Sequence, residues 1–156
     1  MNAKELNIQL VTNNINDFKG LLDVFKEVFL WTNYRYPTDK KLHHLLKNTN
    51  LLAIVAKIEN QVVGGLTAYI LHSYEVEKPS LYLYDLGVKE HFQNQGIGKQ
   101  LINFLIAYAK QNDFQDIFVG TEQDDNEDAI AFYRKTPFTD ETKVLQYSFR
   151  LDEPNT

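Results

Sequence analysis

The feature of this sequence that most constrains its fold is a glycine-containing turn between an apolar strand and an amphipathic helix. Residues 81–88 (LYLYDLGV) have the composition of a strand, and residues 97–111 repeat apolar side chains at helical spacing. The turn between them is Gln93-Asn94-Gln95-Gly96-Ile97-Gly98. Because a glycine-rich turn that opens a helix presents unpaired backbone N–H groups, this pattern predicts an anion site, such as a phosphate site.

The apolar periodicity along the rest of the chain predicts an α/β (α+β) domain, ordered β-α-α-β-β-β-α-β-α-β. Strands that are apolar on both sides indicate a mixed sheet covered by helices on both faces. Glu59-Asn60-Gln61 predicts a tight turn, Asn14 or Asn16 is expected to cap the first helix, and Thr38 or Asp39 the second. The predicted strands are 6–12, 51–59, 62–74, 81–88, 116–122 and 143–151, and the predicted helices are 17–30, 38–48, 97–111 and 126–135.

Composition excludes several classes of protein. The 156 residues fit one domain, 1–156, and the absence of cysteine removes disulfides, thiolate zinc sites and cysteine nucleophiles. A net charge of −5 without a basic face argues against nucleic-acid binding. No apolar run approaches the ~20 residues that span a membrane, and no secretory pattern opens the chain, so a cytoplasmic protein is expected. The four histidines, His43, His44, His72 and His91, form no metal pattern, and no metal is expected.

Three landmarks make the chain resemble the GNAT superfamily of N-acetyltransferases. Gln93-x-x-Gly96-x-Gly98 is similar to that family's acyl-CoA pyrophosphate loop, and LYLYDLGV is similar to its fourth strand. The stretch Asn126-x-x-Ala129-x-x-Phe132-Tyr133-x-Lys135 resembles its pantetheine-side helix. The resemblance implies acetyl-CoA (coenzyme A) as cofactor and a GNAT fold, with a mixed sheet of about six to seven strands flanked by about four helices.

Within that family, residues 64–88 and 96–105 resemble the aminoglycoside 3-N-acetyltransferase branch. This resemblance implies acetyl transfer to the 3-amino group of aminoglycoside antibiotics, and hence antibiotic resistance. The family usually has Lys-x-Gly-Phe after this helix. This chain has Pro137 at the glycine position, which puts the turn geometry there in question. Its glycine loop also lacks arginine, so cofactor phosphates would depend on backbone N–H groups, the helix dipole and Lys99.

The resemblance also implies a set of cofactor contacts. Backbone groups of Leu86, Gly87 and Val88 would meet the pantetheine arm, and Gly87 invites a bulge and the close approach of a ligand. A splayed strand at this point would aim an N–H group at the thioester oxygen. The other implied contacts are Gln93, Asn94, Gln95, Gly96, Ile97, Gly98 and Lys99 in the loop, and Asn126, Ala129 and Tyr133 in the later helix.

Direct attack of an amine on the thioester is the simplest mechanism, since the chain has neither cysteine nor a Gly-x-Ser-x-Gly elbow. Asp85 alternates with Leu81 and Leu83, and a carboxylate on an apolar strand face should be partnered or functional. We expect Asp85 to act as a base or to orient a substrate ammonium. A strand-end acid that only accepts a hydrogen bond is the structural alternative.

Tyr133 is the candidate acid for the departing thiolate. A phenol, with an ordinary pKa near 10, can donate a proton, and the family resemblance places this residue near the thioester sulfur. Packing of the ring on its helix is the alternative interpretation.

The acceptor is expected to be a cationic amine. Five acids fall within residues 122–128, and a polycation could bind there, although a solvated acidic loop is an equally simple interpretation. Aromatic residues between the first two helices could stack on sugar rings, with core packing as the alternative for Trp31. The candidate acceptor residues are Trp31, Tyr34, Tyr36, Tyr84, Asp85, Glu122, Asp124 and Asp125.

Two other functions compete with the aminoglycoside hypothesis. One is a GNAT enzyme that acetylates another amine, such as a polyamine or a peptide, and the other is a non-catalytic acyl-CoA-binding module. Exposed sheet edges and aromatic-rich strands are also compatible with a homodimer.

Overall fold

The computed structural model describes residues 4–151 and divides the chain into two compact units, which meet in sequence between Glu122 and Gln123. The first unit holds β1 (Leu6–Leu10), α1 (Ile15–Val28), α2 (Asp39–Leu46), β2 (Leu51–Ile58), β3 (Gln61–Leu71), β4 (Ser80–Val88), a 3₁₀ turn (Glu90–Phe92), α3 (Ile97–Gln111) and β5 (Asp116–Val119). The second unit holds α4 (Glu127–Arg134). A single-domain organisation stays a prediction. None of the described helices is long and apolar enough to cross a membrane.

The five strands form one mixed sheet in the order β1-β2-β3-β4-β5. The first four strands are antiparallel neighbours, and β5 runs parallel to β4. The α/β class and the mixed sheet are therefore confirmed. The tight turn between β2 and β3 is also confirmed, because Glu59 and Asn60 both have positive φ, 49° and 67°, as a two-residue hairpin turn requires.

The strand count is lower than predicted, because residues 143–151 form no strand. Their apolar side chains point into solvent instead. An alternating pattern is necessary for a half-buried strand but not sufficient, since the backbone N–H and C=O groups also need a neighbouring strand. The prediction of a sixth strand was wrong for this reason.

Helices cover the two faces of the sheet with different sets of apolar residues. Helices α1 and α2 cover one face, and α3 packs on β2, β3 and β4. Asn14 caps α1 as predicted, because its side-chain oxygen accepts hydrogen bonds from the N–H groups of Asn16 and Asp17, at 3.0 and 3.2 Å. Thr38 caps α2 by accepting from the N–H of Lys41. The core between α1, α2 and the sheet contains Val11, Phe18, Leu21, Val24, Phe25, Leu42, Ala53, Val55 and Val62.

A buried ion pair, which the sequence analysis did not predict, ties α1 to β2. Lys57 Nζ lies 2.8 Å from Asp17 Oδ1, and Gln9 of β1 donates to the other carboxylate oxygen at 3.1 Å. The Asp17 residue is only 6% exposed. Because both oxygens are hydrogen-bonded, the carboxylate is neutralised where the ends of two strands and a helix meet.

We predict that Lys57→Met will lower the free energy of unfolding by about 3 kcal/mol, because it strands the Asp17 carboxylate without its cation. Urea unfolding followed by circular dichroism measures this loss. Lys4→Met is the matched control. Lys4 forms a similar ion pair with Glu59, at 3.0 Å, but both of those side chains are 65% exposed. Equal losses for the two variants would contradict the structural role given to Asp17 and Lys57.

Candidate active site

The site is organised by a bulge in the middle of β4. Ala68 of β3 pairs with Leu83, but the next residue, Thr67, pairs with Asp85, so Tyr84 is an extra residue in β4. Directly paired residues on neighbouring strands share a face of the sheet, and successive residues alternate. Asp85 therefore lies on the face opposite to Leu83. The prediction that Asp85 shares a face with Leu81 and Leu83 is wrong, since one inserted residue reverses the alternation.

Four aromatic residues lie in contact with one another around the bulge, and Asp85 is close to two of them, Tyr69 and Tyr84. Tyr84 meets Tyr69 and Tyr82 edge-on, with ring centroids 5.4 and 5.8 Å apart, and Tyr82 stacks on Phe118 of β5 at 4.9 Å. Tyr84 is 56% exposed and Phe118 is 44% exposed. We call Tyr69, Tyr82, Tyr84 and Phe118 the aromatic cluster. Its exposed rings, Tyr84 and Phe118, are of a kind that packs on the faces of sugar rings.

The Asp85 carboxyl group is half-buried and carries no neutralising partner. Burial raises its pKa above the ordinary value of 3.8. Burial also raises the pKa of Tyr69, and the charges of Tyr84 and Asp85 add to that shift. Among residues 4–151, no donor is hydrogen-bonded to the Asp85 carboxylate, in contrast to Asp17. A half-buried acid without an internal partner is suited to take a proton or to bind a cation from outside.

The sequence analysis expected a bulge at Gly87. The bulge lies three residues earlier, at Tyr84. A side chain at Gly87 would point at α1, because a Cβ there would lie 3.4–3.5 Å from Phe25, Val24 and Val28. These are ordinary contact distances, so the glycine leaves no ligand-sized gap on that face. Ligand access at this position must come from the strand edge instead.

The edge of β4 is open over its second half. Pairing with β5 ends at Leu83 with Val119, so in the described part of the chain Asp85 to Val88 pair only with β3, and the bulged Tyr84 pairs with neither strand. Backbone N–H and C=O groups on the outer edge are thus available to a ligand. This position coincides with Leu86, Gly87 and Val88, the residues predicted to meet a pantetheine arm.

The glycine turn presents a second set of unpaired groups. Gly96 adopts a left-handed conformation, φ 81°, and begins α3 without a side-chain cap. The first helical hydrogen bond is donated by Gln100 to the Gly96 carbonyl, at 3.0 Å. No acceptor among the described residues pairs with the N–H groups of Ile97, Gly98 and Lys99. These groups and the positive end of the helix dipole form the predicted anion site.

Gln93 has a structural role in this loop. Its side-chain Nε2 donates to the carbonyl oxygen of Val88 at 2.8 Å, and its backbone N–H donates to Glu90 at 3.2 Å. Asn94 next to it has φ 58°. Gln93 thus fastens the turn to the end of β4, which fixes the distance between the open strand edge and the N-terminus of α3.

The aromatic residues after α1 form a continuous row of ring contacts. Trp31 meets Tyr34 at 4.9 Å, and Tyr34 meets Tyr36 at 5.2 Å. The Tyr36 hydroxyl donates to the Asp23 carboxylate, which raises the pKa of Tyr36. Trp31 also packs against the core below α1, so its predicted sugar-stacking role competes with a packing role. Tyr36 has the most exposed side chain of these three residues.

In the second unit, α4 carries Tyr133 near its end. The Tyr133 ring contacts Phe132 and Phe138, with centroids 5.1 and 5.9 Å away. The Tyr133 carbonyl accepts hydrogen bonds from both the hydroxyl and the N–H of Thr136. Thr136 therefore closes the turn before Pro137, and no residue from 134 to 138 has positive φ. The usual glycine is not needed for this turn.

The acids of residues 122–128 are all exposed, and none forms an ion pair within the described chain. Asp125, Asn126, Glu127 and Asp128 line a shallow open hollow at the start of α4. Asn126 begins α4 without a side-chain cap, and Ala129 is partly buried. Uncompensated carboxylates on an open surface favour binding of a cation.

The first unit thus brings together Asp85, Tyr84, the open edge of β4 and the α3 N-terminus through one strand and one turn. Sequence reasoning missed Tyr69 and Phe118, because only the strand register reveals that they lie on either side of Tyr82. It also missed Asp23, whose exposed carboxylate lies next to the Tyr36 hydroxyl. The alternation of aromatic residues in 81–84 was the available signal for the aromatic cluster.

Comparison with known proteins assigns the class. Residues 18–138 match the model of the acetyltransferase (GNAT) family, so the chain belongs to that family of acetyltransferases. It is similar to the aminoglycoside acetyltransferase meta-AAC0020 from an uncultured soil metagenomic sample, at 37% identity over 94% of this chain and 97% of that one, with a TM-score of 0.91. A second soil metagenomic aminoglycoside acetyltransferase, HMB0005, is 28% identical over 95% and 99% of the two chains, with a TM-score of 0.86. Aminoglycoside N-acetyltransferase AAC(6')-Iy in complex with coenzyme A shares the fold, with 18% identity over 95% and 97% of the two chains and a TM-score of 0.78.

We predict that Asp85→Asn will raise the free energy of unfolding at neutral pH, because it removes a charge that burial disfavours. Since the folded pKa of Asp85 is raised, protonation relieves this cost, and the gain should shrink as the pH falls through that pKa. It should vanish below 3.8, where Asp85 is protonated in both states. Urea unfolding from pH 3 to 8 tests this, with exposed Asp116→Asn as the control; a gain independent of pH would refute the assignment.

Proposed function

We propose that this protein is an acetyl-CoA-dependent N-acetyltransferase that modifies an amino group of aminoglycoside antibiotics. The observation that carries the proposal is the half-buried, unpartnered Asp85 at the open half of β4, beside an exposed aromatic cluster. The similarity to meta-AAC0020, which has been crystallised in complex with sisomicin, supports an aminoglycoside acceptor. Resistance to such antibiotics is the expected consequence in the cell.

The residues present fit coenzyme A. The unpaired N–H groups of Ile97, Gly98 and Lys99 would hold the pyrophosphate, with the exposed Lys99 ammonium as the only loop cation in 93–99. The open backbone edge from Leu86 to Val88 would hold the amide groups of the pantetheine arm. When bound, acetyl-CoA supplies the activated acetyl thioester. The remaining predicted contacts are Asn94, Gln95, Asn126 and Ala129.

Asp85 would prepare the attacking amine. An amine at neutral pH is mostly an ammonium ion, which Asp85 can bind as a carboxylate and then deprotonate. Its raised pKa makes it a better proton acceptor than an exposed aspartate. The neutral amine then attacks the thioester carbonyl directly, while a backbone N–H of Leu86–Val88 would donate to the developing oxyanion.

Tyr133 would complete the reaction by protonating the thiolate as the C–S bond breaks. Its hydroxyl hydrogen would pass to sulfur; the acetylated nitrogen would then lose its surplus proton to solvent, and the phenolate would recover a proton from solvent. Phe132 and Phe138 contact its ring and would limit its motion.

The acceptor would be held by stacking and by charge. Tyr84 and Phe118 offer exposed rings, and Trp31, Tyr34 and Tyr36 offer a second group of contacting rings near Asp23. Glu122, Asp124 and Asp125 would attract the other ammonium groups of a polycationic sugar. A polyamine would use the acids but not the stacking surfaces.

The direct test is thiol release from acetyl-CoA with sisomicin, gentamicin, spermidine and a basic peptide, followed by NMR of the acetylated product. We predict turnover on the aminoglycosides and acetylation at the 3-amino group. A product acetylated at the 6'-amine would overturn the predicted position but keep the substrate class. Turnover only on spermidine or the peptide would overturn the substrate class, and binding of acetyl-CoA without turnover would overturn the proposed activity.

We predict that Tyr133→Phe will lower kcat about 100-fold with little change in acetyl-CoA affinity, because the hydroxyl acts only on the leaving thiolate. Steady-state kinetics and calorimetric titration with acetyl-CoA separate the two effects. Tyr74→Phe is the matched control, since Tyr74 is 98% exposed and lies outside the site. Unchanged kcat in Tyr133→Phe would remove the residue as the acid.

We predict that neutralising Asp124 and Asp125 to asparagine will raise KM for an aminoglycoside several-fold at low salt, with less effect at high salt. The double variant Glu75→Gln/Glu77→Gln removes two exposed charges elsewhere and should leave KM unchanged. If the Asp124/Asp125 variant alters only the KM for acetyl-CoA, these acids are not part of the acceptor surface.

A further inference from the structure

Thr67, in the middle of β3, is a buried polar residue whose hydroxyl has no internal partner. Thr67 is 8% exposed, and the other buried polar side chain among residues 4–151 is Asp17. Both oxygens of Asp17 are hydrogen-bonded, whereas the Thr67 hydroxyl forms no hydrogen bond within the described chain. No side-chain oxygen that is sealed from solvent lacks a partner in those residues. The Thr67 hydroxyl oxygen therefore reaches the small exposed surface of its residue, where a ligand can meet it.

The strand register sets Thr67 directly opposite Asp85. Such a pair shares one face of the sheet, with Cβ atoms about 4.5–5.5 Å apart. On its other side Thr67 pairs with Ala53 of β2, which is 3% exposed. Thr67 and Asp85 are thus the two polar members of this row, and no hydrogen bond joins them in the described structure. Two adjacent polar groups that leave each other unbonded can both bind the same third group.

A nitrogen atom of an amine fits between these two groups. A hydrogen-bonded nitrogen lies about 2.7–3.2 Å from each acceptor oxygen, so two such bonds can bridge a cross-strand pair. An ammonium group has only donors, and both the Asp85 carboxylate and the Thr67 hydroxyl oxygen can accept from it. The negative charge of Asp85 favours a cationic occupant over a neutral one.

We propose that Thr67 is the second anchor of the reacting amine: its hydroxyl oxygen accepts one N–H group while Asp85 accepts another. The inference rests on the proposed function, because it adds a residue to the same site. After Asp85 has taken a proton, the neutral amine keeps two N–H groups. Two acceptors on the sheet then direct the nitrogen lone pair away from the sheet, whereas an amine held by Asp85 alone could rotate about that single bond.

Substitutions that keep the shape of Thr67 test the role of its hydroxyl. Thr67→Val should lower kcat/KM for the acceptor about tenfold or more and change KM for acetyl-CoA less than about twofold. Thr67→Ser keeps the hydroxyl and should retain kcat/KM within about threefold. Thr12→Val is the matched control, since Thr12 is exposed and its side chain has no partner in the described chain; it should change neither constant.

The stability of the valine variant separates this role from a structural one. Because the Thr67 hydroxyl has no internal partner, replacing it with a methyl group of the same shape should leave the free energy of unfolding unchanged or higher. Urea unfolding followed by circular dichroism measures this. A variant that loses both stability and activity would assign the hydroxyl a structural role and overturn the proposal.

Binding of the amine is measured independently of turnover. In protein labelled with ¹³C in aspartate and threonine, NMR follows the Asp85 carboxyl carbon and the Thr67 methyl carbon during titration with sisomicin and, separately, spermidine. We expect one of these amines to shift both signals with one dissociation constant. The Thr12 methyl carbon is the internal control and should not shift.

The outcomes distinguish failure of this inference from failure of the proposed function. Shared shifts at Asp85 and Thr67 without turnover would support the inference and overturn the proposed activity. Turnover on an aminoglycoside that is unchanged in Thr67→Val, or equally reduced in Thr67→Ser, would overturn the inference and keep the proposed function. Shifts at Asp85 alone, or at neither residue, would also overturn the inference. The titration of the unsubstituted protein keeps the test decisive if the valine variant fails to fold.

Discussion

The register of β4 against β3 is the constraint on which the rest of the site depends. Side chains on a strand alternate between two faces, so a single extra residue at Tyr84 moves every later side chain to the other face. Before the bulge, Leu81 and Leu83 are fully buried. After it, Asp85 is carried to the face shared by Thr67 and Tyr69, where the carboxyl group reaches an open surface. A regular strand would bury Asp85 with the leucines.

Asp17 is buried and Asp85 is half-buried, and their surroundings give the two carboxylates different roles. Asp17 is held by Lys57 and Gln9, so its charge is satisfied inside the protein. Asp85 has a raised pKa and no donor among the described residues. The first arrangement stabilises the junction of α1, β1 and β2. The second costs stability and is retained, in our proposal, because the missing partner is the amine of the substrate.

Local features of the fold followed from the sequence, and non-local ones did not. The Glu59-Asn60 turn, the Asn14 cap and the bounds of α3 depend on residues close in sequence, and all are confirmed. The bulge at Tyr84 depends on pairing with residues 67 and 68 of another strand, and the Asp17–Lys57 pair joins residues 40 positions apart. The pattern of residues 143–151 is that of a strand, but no pattern within a segment reveals which edge will pair with it. The family resemblance supplied the candidate residues, whereas the direction in which Asp85 points required the register.

The central claim is that the open edge of β4 and the N-terminus of α3 form one cofactor surface, fastened together by Gln93. The most direct measurement is an amide NMR titration of the ¹⁵N-labelled protein with coenzyme A. The account predicts saturable shifts concentrated in Tyr84–Val88 and Gln95–Lys99, with the same dissociation constant at both. Saturable shifts confined to β1 and β2, or different dissociation constants for the two segments, would contradict it.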